Sequence, residues 1–148
     1  MLPAKEKLEE IVKSLAKIMR IQDWDISVEY ISQYEMKHIF NSDNLDTAMM
    51  CERYRLRKEA AIYINIDHTK LVDEWEESIV HELYHIVLAD LSDMADDLMD
   101  EADSPTIVRR QKLQSVETAV VNLAKIFCSV YSVKELMKEG NEIDKPNN

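Results

Sequence analysis

Glycine and cysteine are almost missing from this chain of 148 residues, which has one glycine, Gly140, and two cysteines, Cys51 and Cys128. The cysteines lie far apart and form no Cys-x-x-Cys pair, which argues against both a disulfide framework and a cysteine-ligated zinc site. No stretch approaches the roughly 18 consecutive apolar residues of a membrane span, and the opening MLPAKEKLEE has no apolar h-region. A protein of the reducing cytoplasm is therefore expected. Bases are scarce too, 18 against 29 acids, for a net charge of −11. A surface of that sign repels phosphate backbones and anionic lipid, so neither nucleic acid nor membrane is expected as a partner. Residues 90–103, DLSDMADDLMDEAD, hold seven acids and no base. Their plain reading is a solvated helix end and loop, and the sharper ones are a dock for a basic substrate segment or a calcium loop. The spacing is not that of an EF-hand and the glycine such a loop requires is absent, which sets calcium aside.

What is present is an ordinary globular composition, 46% hydrophobic and 32% charged, on a chain long enough to bury a core without staples. One domain is expected over residues 1–140, its last helix stopped by Gly140, with 141–148 as a disordered tail. Leu8, Ile11, Val12, Leu15, Ile18 and Met19 recur at helical spacing over 4–20. From Trp24 to Tyr30 the pattern becomes alternation, a half-buried strand with Trp24, Ile26, Val28 and Tyr30 on one face. Residues 33–46 fit no single pattern, and Asn41-Ser42-Asp43-Asn44 is turn chemistry. Thr47–Leu56 and Ala60–Ile66 read as a hairpin, with Ala60, Ile62, Ile64 and Ile66 on one face of the second strand. A helix is predicted from Leu71 to Leu91, burying Trp75, Ile79, Leu83 and Ile86. Asp73, Glu74, Glu76 and Glu77 crowd its first turns, where the helix dipole favours negative charge. Ser104 and Pro105 open another helix as N-cap and N1, and Leu113, Val116, Val120, Leu123, Phe127 and Val130 carry it to at least Tyr131. The order predicts an α+β domain with an N-terminal helix, a small and mostly antiparallel sheet, and segregated helices.

One motif carries chemistry. His81-Glu82-Leu83-Tyr84-His85 spells His-Glu-x-x-His inside a predicted helix, where residues four apart stand one above the other. Both imidazoles can then reach one metal ion, with Glu82 beside them, close enough to work on a water the metal holds. A catalytic zinc takes three protein ligands and leaves its fourth position open, so a third is needed. A third histidine six residues after the second is ruled out because Leu91 stands there, and Leu88 occupies the glycine position of that extended motif. His68, between strand and helix, reads as a surface or capping residue that could line the cleft. Glu117 is the better candidate, because Leu113, Val120, Val121 and Ala124 surround it on its helix and a carboxylate so placed is costly to bury unpaired. The competing reading puts Glu117 at the edge of the apolar stripe, reaching water and pairing with Arg110. If Glu117 is not the ligand, His68 or an acid between Asp90 and Asp103 comes next.

In this layout, from Trp24 to Tyr131, the chain resembles a minimal gluzincin-type metallopeptidase domain and is similar to the small ImmA/IrrE-like and phage-encoded zincin-like proteins. The resemblance implies zinc held by His81, His85 and Glu117, with Glu82 as the catalytic carboxylate. The chain departs from the pattern at Val121, where many gluzincins have an aspartate, and at Val120-Val121, where the ImmA/IrrE-like pattern has Ala-Asn. The function so implied is hydrolysis of a peptide bond in a restricted protein substrate, by a metal-held water that Glu82 activates. Tyr63, His68, Tyr84 and Tyr131 are all conceivable donors to the oxyanion. The alternative is a regulatory or protein-binding module on the same fold, with zinc structural or catalysis lost. A third possibility is a chance motif in a helical protein.

Overall fold

The last strand in sequence is the central one in space. In the computed structural model, which describes residues 2–43, 45–69, 71–133 and 135, three strands are ordered β1-β3-β2. β1 (Asp25–Ile31) pairs parallel with β3 (Glu59–Asn65), and β2 (Met49–Tyr54) pairs antiparallel with β3. The hairpin expectation holds. The expectation of a mostly antiparallel sheet does not, because one of the two pairings is parallel. Side chains alternate across a strand, so the register sets Ile26–Ala60–Arg53, Val28–Ile62–Cys51 and Tyr30–Ile64–Met49 as three rows on one face. Val28, Ile62 and Ile64 are fully buried there. The predicted apolar face of β3 ends one residue early, since Ile66 is exposed and the strand closes at buried Asn65. The Asn65 amide is satisfied: Nδ2 donates to the Thr47 carbonyl and the Gln33 side chain, and Oδ1 accepts from the Asp67 amide.

Helices cover that face. α1 (Lys5–Ile18) lays Leu8, Ile11, Val12 and Leu15 onto it, the amphipathic pattern doing what its spacing implies. α2 (Gln33–Ile39) falls in the stretch that fitted no pattern. It opens on a capping box, with Ser32 Oγ accepting from the Glu35 amide and Glu35 Oε2 accepting from the Ser32 amide. α3 (Leu71–Val87) buries Trp75, Ile79, Leu83 and Ile86 as expected, and Val80 with them. It stops short of Leu91. The chain turns at Leu88 and starts α4 (Ala89–Glu101), so the acidic segment is a helix and not a solvated helix end and loop.

α5 (Thr106–Val130) starts one residue later than predicted, with Pro105 in the N-cap place and Ser104 outside the helix. Its predicted stripe is only partly inward. Val120, Ala124 and Phe127 are buried, whereas Leu113 and Val130 are exposed because α5 packs on α3 through a narrower face. α5 returns along α3 in the opposite sense, Glu117 lying by His85 and Cys128 within electrostatic reach of Glu77. Gly140 and the 141–148 tail lie outside the described residues.

Truncation should separate the core of α3 from the helix that follows it. Leu83→Ala is expected to cost about 2–5 kcal/mol, since Leu83 is fully buried. Leu91→Ala, on the exposed side of α4, should stay within about 0.5 kcal/mol. Urea denaturation of both variants checks it, and similar losses would mean that Leu91 belongs to the motif helix after all.

Candidate metal centre

The i, i+4 spacing on α3 stacks the two imidazoles on one side of the helix, with Nε2 of His81 and Nε2 of His85 3.2 Å apart. α5 supplies the third group. Glu117 Oε2 lies 3.6 Å from His81 Nε2, and Glu117 Oε1 lies 3.4 Å from His85 Nε2. Donors held at ~2.0–2.1 Å by a tetrahedral metal ion stand about 3.3 Å from one another. The pair of imidazole nitrogens matches that spacing, each has a different Glu117 oxygen at a similar distance, and one ligand atom from each of the three residues lies within 4.8 Å of the others, close enough to hold a cation together. Among the described residues they are the group of His, Cys, Asp or Glu side chains close enough to hold one. Glu117 turns its oxygens to the histidines and not to Arg110, yet its side chain is 46% exposed, so the competing expectation that it lies at the edge of the stripe and reaches water holds in that part.

Glu82 sits one residue along from His81, about 100° around the helix. It points into the body of the protein beside β2 and is only 7% exposed. Burial, and secondarily the charge of Glu117, push its carboxyl up to about 8, while a hydrogen bond from the Cys51 backbone pulls the other way. His81 and His85 are both pushed down by burial, against the pull of the Glu117 carboxylate. Burial thus favours the neutral imidazole, the form that binds metal.

The donors open onto a cavity of about 430 Å³ that is also lined by Met49, Cys51, Arg53, Asp96 and Lys112. None of the four sequence candidates for an oxyanion donor lines it. Tyr63 donates to Glu52 (3.3 Å), and Tyr84 and Tyr131 pack on the ring of Phe127. His68 faces a separate cavity, its Nε2 3.5 Å from Asp46. The two cations in the site, Arg53 and Lys112, were missed by sequence reasoning. Met49, Cys51 and Arg53 recur at the period of a strand, so the first of them was legible as a charge on an apolar face. Lys112 shows no comparable signal. Both are held by α4, Arg53 Nη2 by Asp93 at 3.0 Å and Lys112 Nζ by Asp96 and Ser92 at 2.7 Å each. The acidic segment receives basic groups, as one sequence reading expected of a dock, but they come from its own chain.

Set against family models, curated proteins and solved structures, the chain matches none.

A carboxyl whose folded value lies above its unfolded one destabilises the fold as it ionises, so Glu82 takes stability away as pH rises from about 4.5 through about 8. In metal-free protein, Glu82→Gln should therefore raise the melting temperature at pH 8 and leave it nearly unchanged at pH 4. Calorimetry at the two values measures the difference. An equal gain at both would mean that the Glu82 carboxyl is not ionising against the fold.

Proposed function

We propose that the chain is a zinc-dependent peptidase on a zincin-like domain, acting on a protein or peptide substrate. The observation that carries the reading is the convergence of two imidazoles and one carboxylate within 4.8 Å of one another, beside a buried second carboxylate and facing an open cavity. Three protein donors leave one coordination position free, as catalytic zinc sites do and closed structural ones do not. This favours catalysis over a purely structural zinc.

His81, His85 and Glu117 would hold the ion. When bound, zinc supplies the Lewis acid that polarises a peptide carbonyl and acidifies the attacking water. Glu82 does the proton work: one oxygen of its carboxylate accepts a proton from the attacking water and delivers it to the leaving nitrogen. An extended substrate is held by strand addition along β2, an edge of the sheet from which Met49, Met50, Cys51 and Arg53 line the cavity. Among the described residues no helix is long and apolar enough to cross a membrane.

The purified chain is expected to bind about one zinc ion, counted by native mass spectrometry. Glu117→Ala should weaken that affinity by orders of magnitude, and retention of zinc at unchanged affinity would place the third ligand elsewhere. Glu82→Gln should keep zinc and lose cleavage of cellular proteins, read by proteome-wide mapping of new N-termini. If the Gln variant cleaves like the parent, the peptidase reading gives way to a binding module.

A further inference from the structure

We propose that the outer face of α4 is a docking surface for an amphipathic helix of another protein, one whose apolar stripe is flanked along one side by lysine or arginine. The surface lies on the far side of α4 from the metal centre and does not depend on the peptidase reading.

Spacing is the first support. Single apolar side chains scattered over a surface need no partner. Leu91, Met94 and Leu98, which are 62%, 52% and 59% exposed, are not scattered. At about 100° per residue they fall within about 60° of one another, over two turns and away from buried Ala89 and Ser92. That spacing makes a seam of the kind one helix offers to another. Ala95 borders it on one side, small enough to let a second backbone approach.

Charge is the second support, and it names the occupant. On the other flank Asp90, Asp97 and Glu101 are exposed and fall within about 40° of one another. Asp90 and Asp97 are seven residues apart, at the place beside a helix seam where charge selects the partner. Asp93, Asp96, Asp97 and Asp100 already receive bases of the chain itself, though the Asp97 side chain stays 68% exposed. Asp90 and Glu101 form no ion pair among the described residues, and Asp90 acts on Lys58 only through its field. A second copy of this chain is the wrong occupant, because it brings the same acids to the seam on a molecule of net charge −11.

The face is also held ready. Arg53, Lys112 and Arg109 grip α4 through Asp93, Asp96 and Asp100, so the seam stands on a helix already anchored to β2 and α5 and little ordering is left for the moment of binding. Ser92 and Asp96, on the inner side, line the metal cavity. A helix docked on the outer side leaves that cavity open.

The test titrates the full chain with a synthetic peptide of leucine and lysine, about 20 residues long so that it holds its helix alone, with leucines at seam spacing and lysines along one flank. Calorimetry reads its affinity, against a second peptide in which glutamate replaces every lysine. The parent is expected to bind the lysine peptide, more weakly as salt rises, and to ignore the glutamate one. Replacing the seam, Leu91→Gln with Met94→Gln and Leu98→Gln, should weaken binding about tenfold or more and leave the melting temperature near that of the parent, since all three are exposed. Asp90→Asn with Glu101→Gln should weaken it several-fold and flatten its salt dependence. A parent that does not bind the lysine peptide overturns the proposal. So does equal affinity for the two peptides, or parent affinity in the seam variant, which means that acids alone collect the lysines. Sedimentation checks the remaining occupant: a dimer of the parent that the seam variant loses assigns the face to a second copy. Should the seam variant fail to fold by circular dichroism, Met94→Gln alone decides, by a loss of about threefold.

Discussion

Packing of α5 against α3 sets the register on which the centre depends. Val120, Ala124 and Phe127 recur along one side of α5, and Glu117 stands three residues before Val120 on the same side. Ala124, fully buried, lets the two helix backbones approach, and the Phe127 ring meets Tyr84 edge-on at 6.3 Å. With those apolar groups seated, Glu117, its side chain still 46% exposed, comes within reach of the two imidazoles of α3. A shift by one residue would turn the carboxylate about 100° away from the histidine pair. The site is thus placed by apolar packing, and the polar groups inherit their geometry from it.

Charge is arranged in two shells with opposite tasks. Inside, the charge of Glu117 adds to burial in opposing ionisation of Glu82. Outside, α4 gathers bases from two directions: Arg53 and Arg55 from the hairpin onto Asp93 and Asp97, and Lys112 and Arg109 from α5 onto Asp96 and Asp100. The outer pairs, Arg55–Asp97 and Arg109–Asp100, leave their acids exposed, and pairs of that kind contribute about 0–1 kcal/mol each. Their role here is positional, because they join β2, α4 and α5 around one end of the cavity. The strongly negative composition of the chain thereby acquires a structural use.

Sequence periodicity revealed whatever was local. The α1 stripe, the alternation of β1, the hairpin and the inward residues of α3 from Trp75 to Ile86 all follow from spacing that neighbours in sequence enforce. The grouping of His81, His85 and Glu117 was legible as well, two from a motif, although the apolar flanks that pointed to Glu117 leave it half-exposed with Leu113 facing outward. What failed depended on distant partners. The parallel pairing of β1 with β3 joins segments some thirty residues apart, and the acids of α4 are explained only by bases as remote as Arg53. The break at Leu88 carries no glycine or proline to announce it. The helix α2, by contrast, was announced by Ser32 and Glu35 at capping-box spacing, a signal outweighed by the mixed composition that follows it.

The scarcity of glycine leaves its mark on the turns. Arg20, Asn41, Lys58 and Asp103 hold left-handed backbone, with φ between 47° and 60°, at positions where glycine would sit without strain. For asparagine and aspartate that conformation is tolerable, whereas arginine and lysine bear the clash of their Cβ with the backbone, roughly 1–2 kcal/mol each. The compensation lies in the state that is not folded. A chain so poor in glycine explores fewer backbone conformations when denatured, and loses less entropy when it folds. Lys58 illustrates the balance: the residue that bends the hairpin also accepts β1, through the Asp25 amide on its carbonyl at 2.8 Å. Local strain in four turns is thus the native-state counterpart of a narrower denatured ensemble.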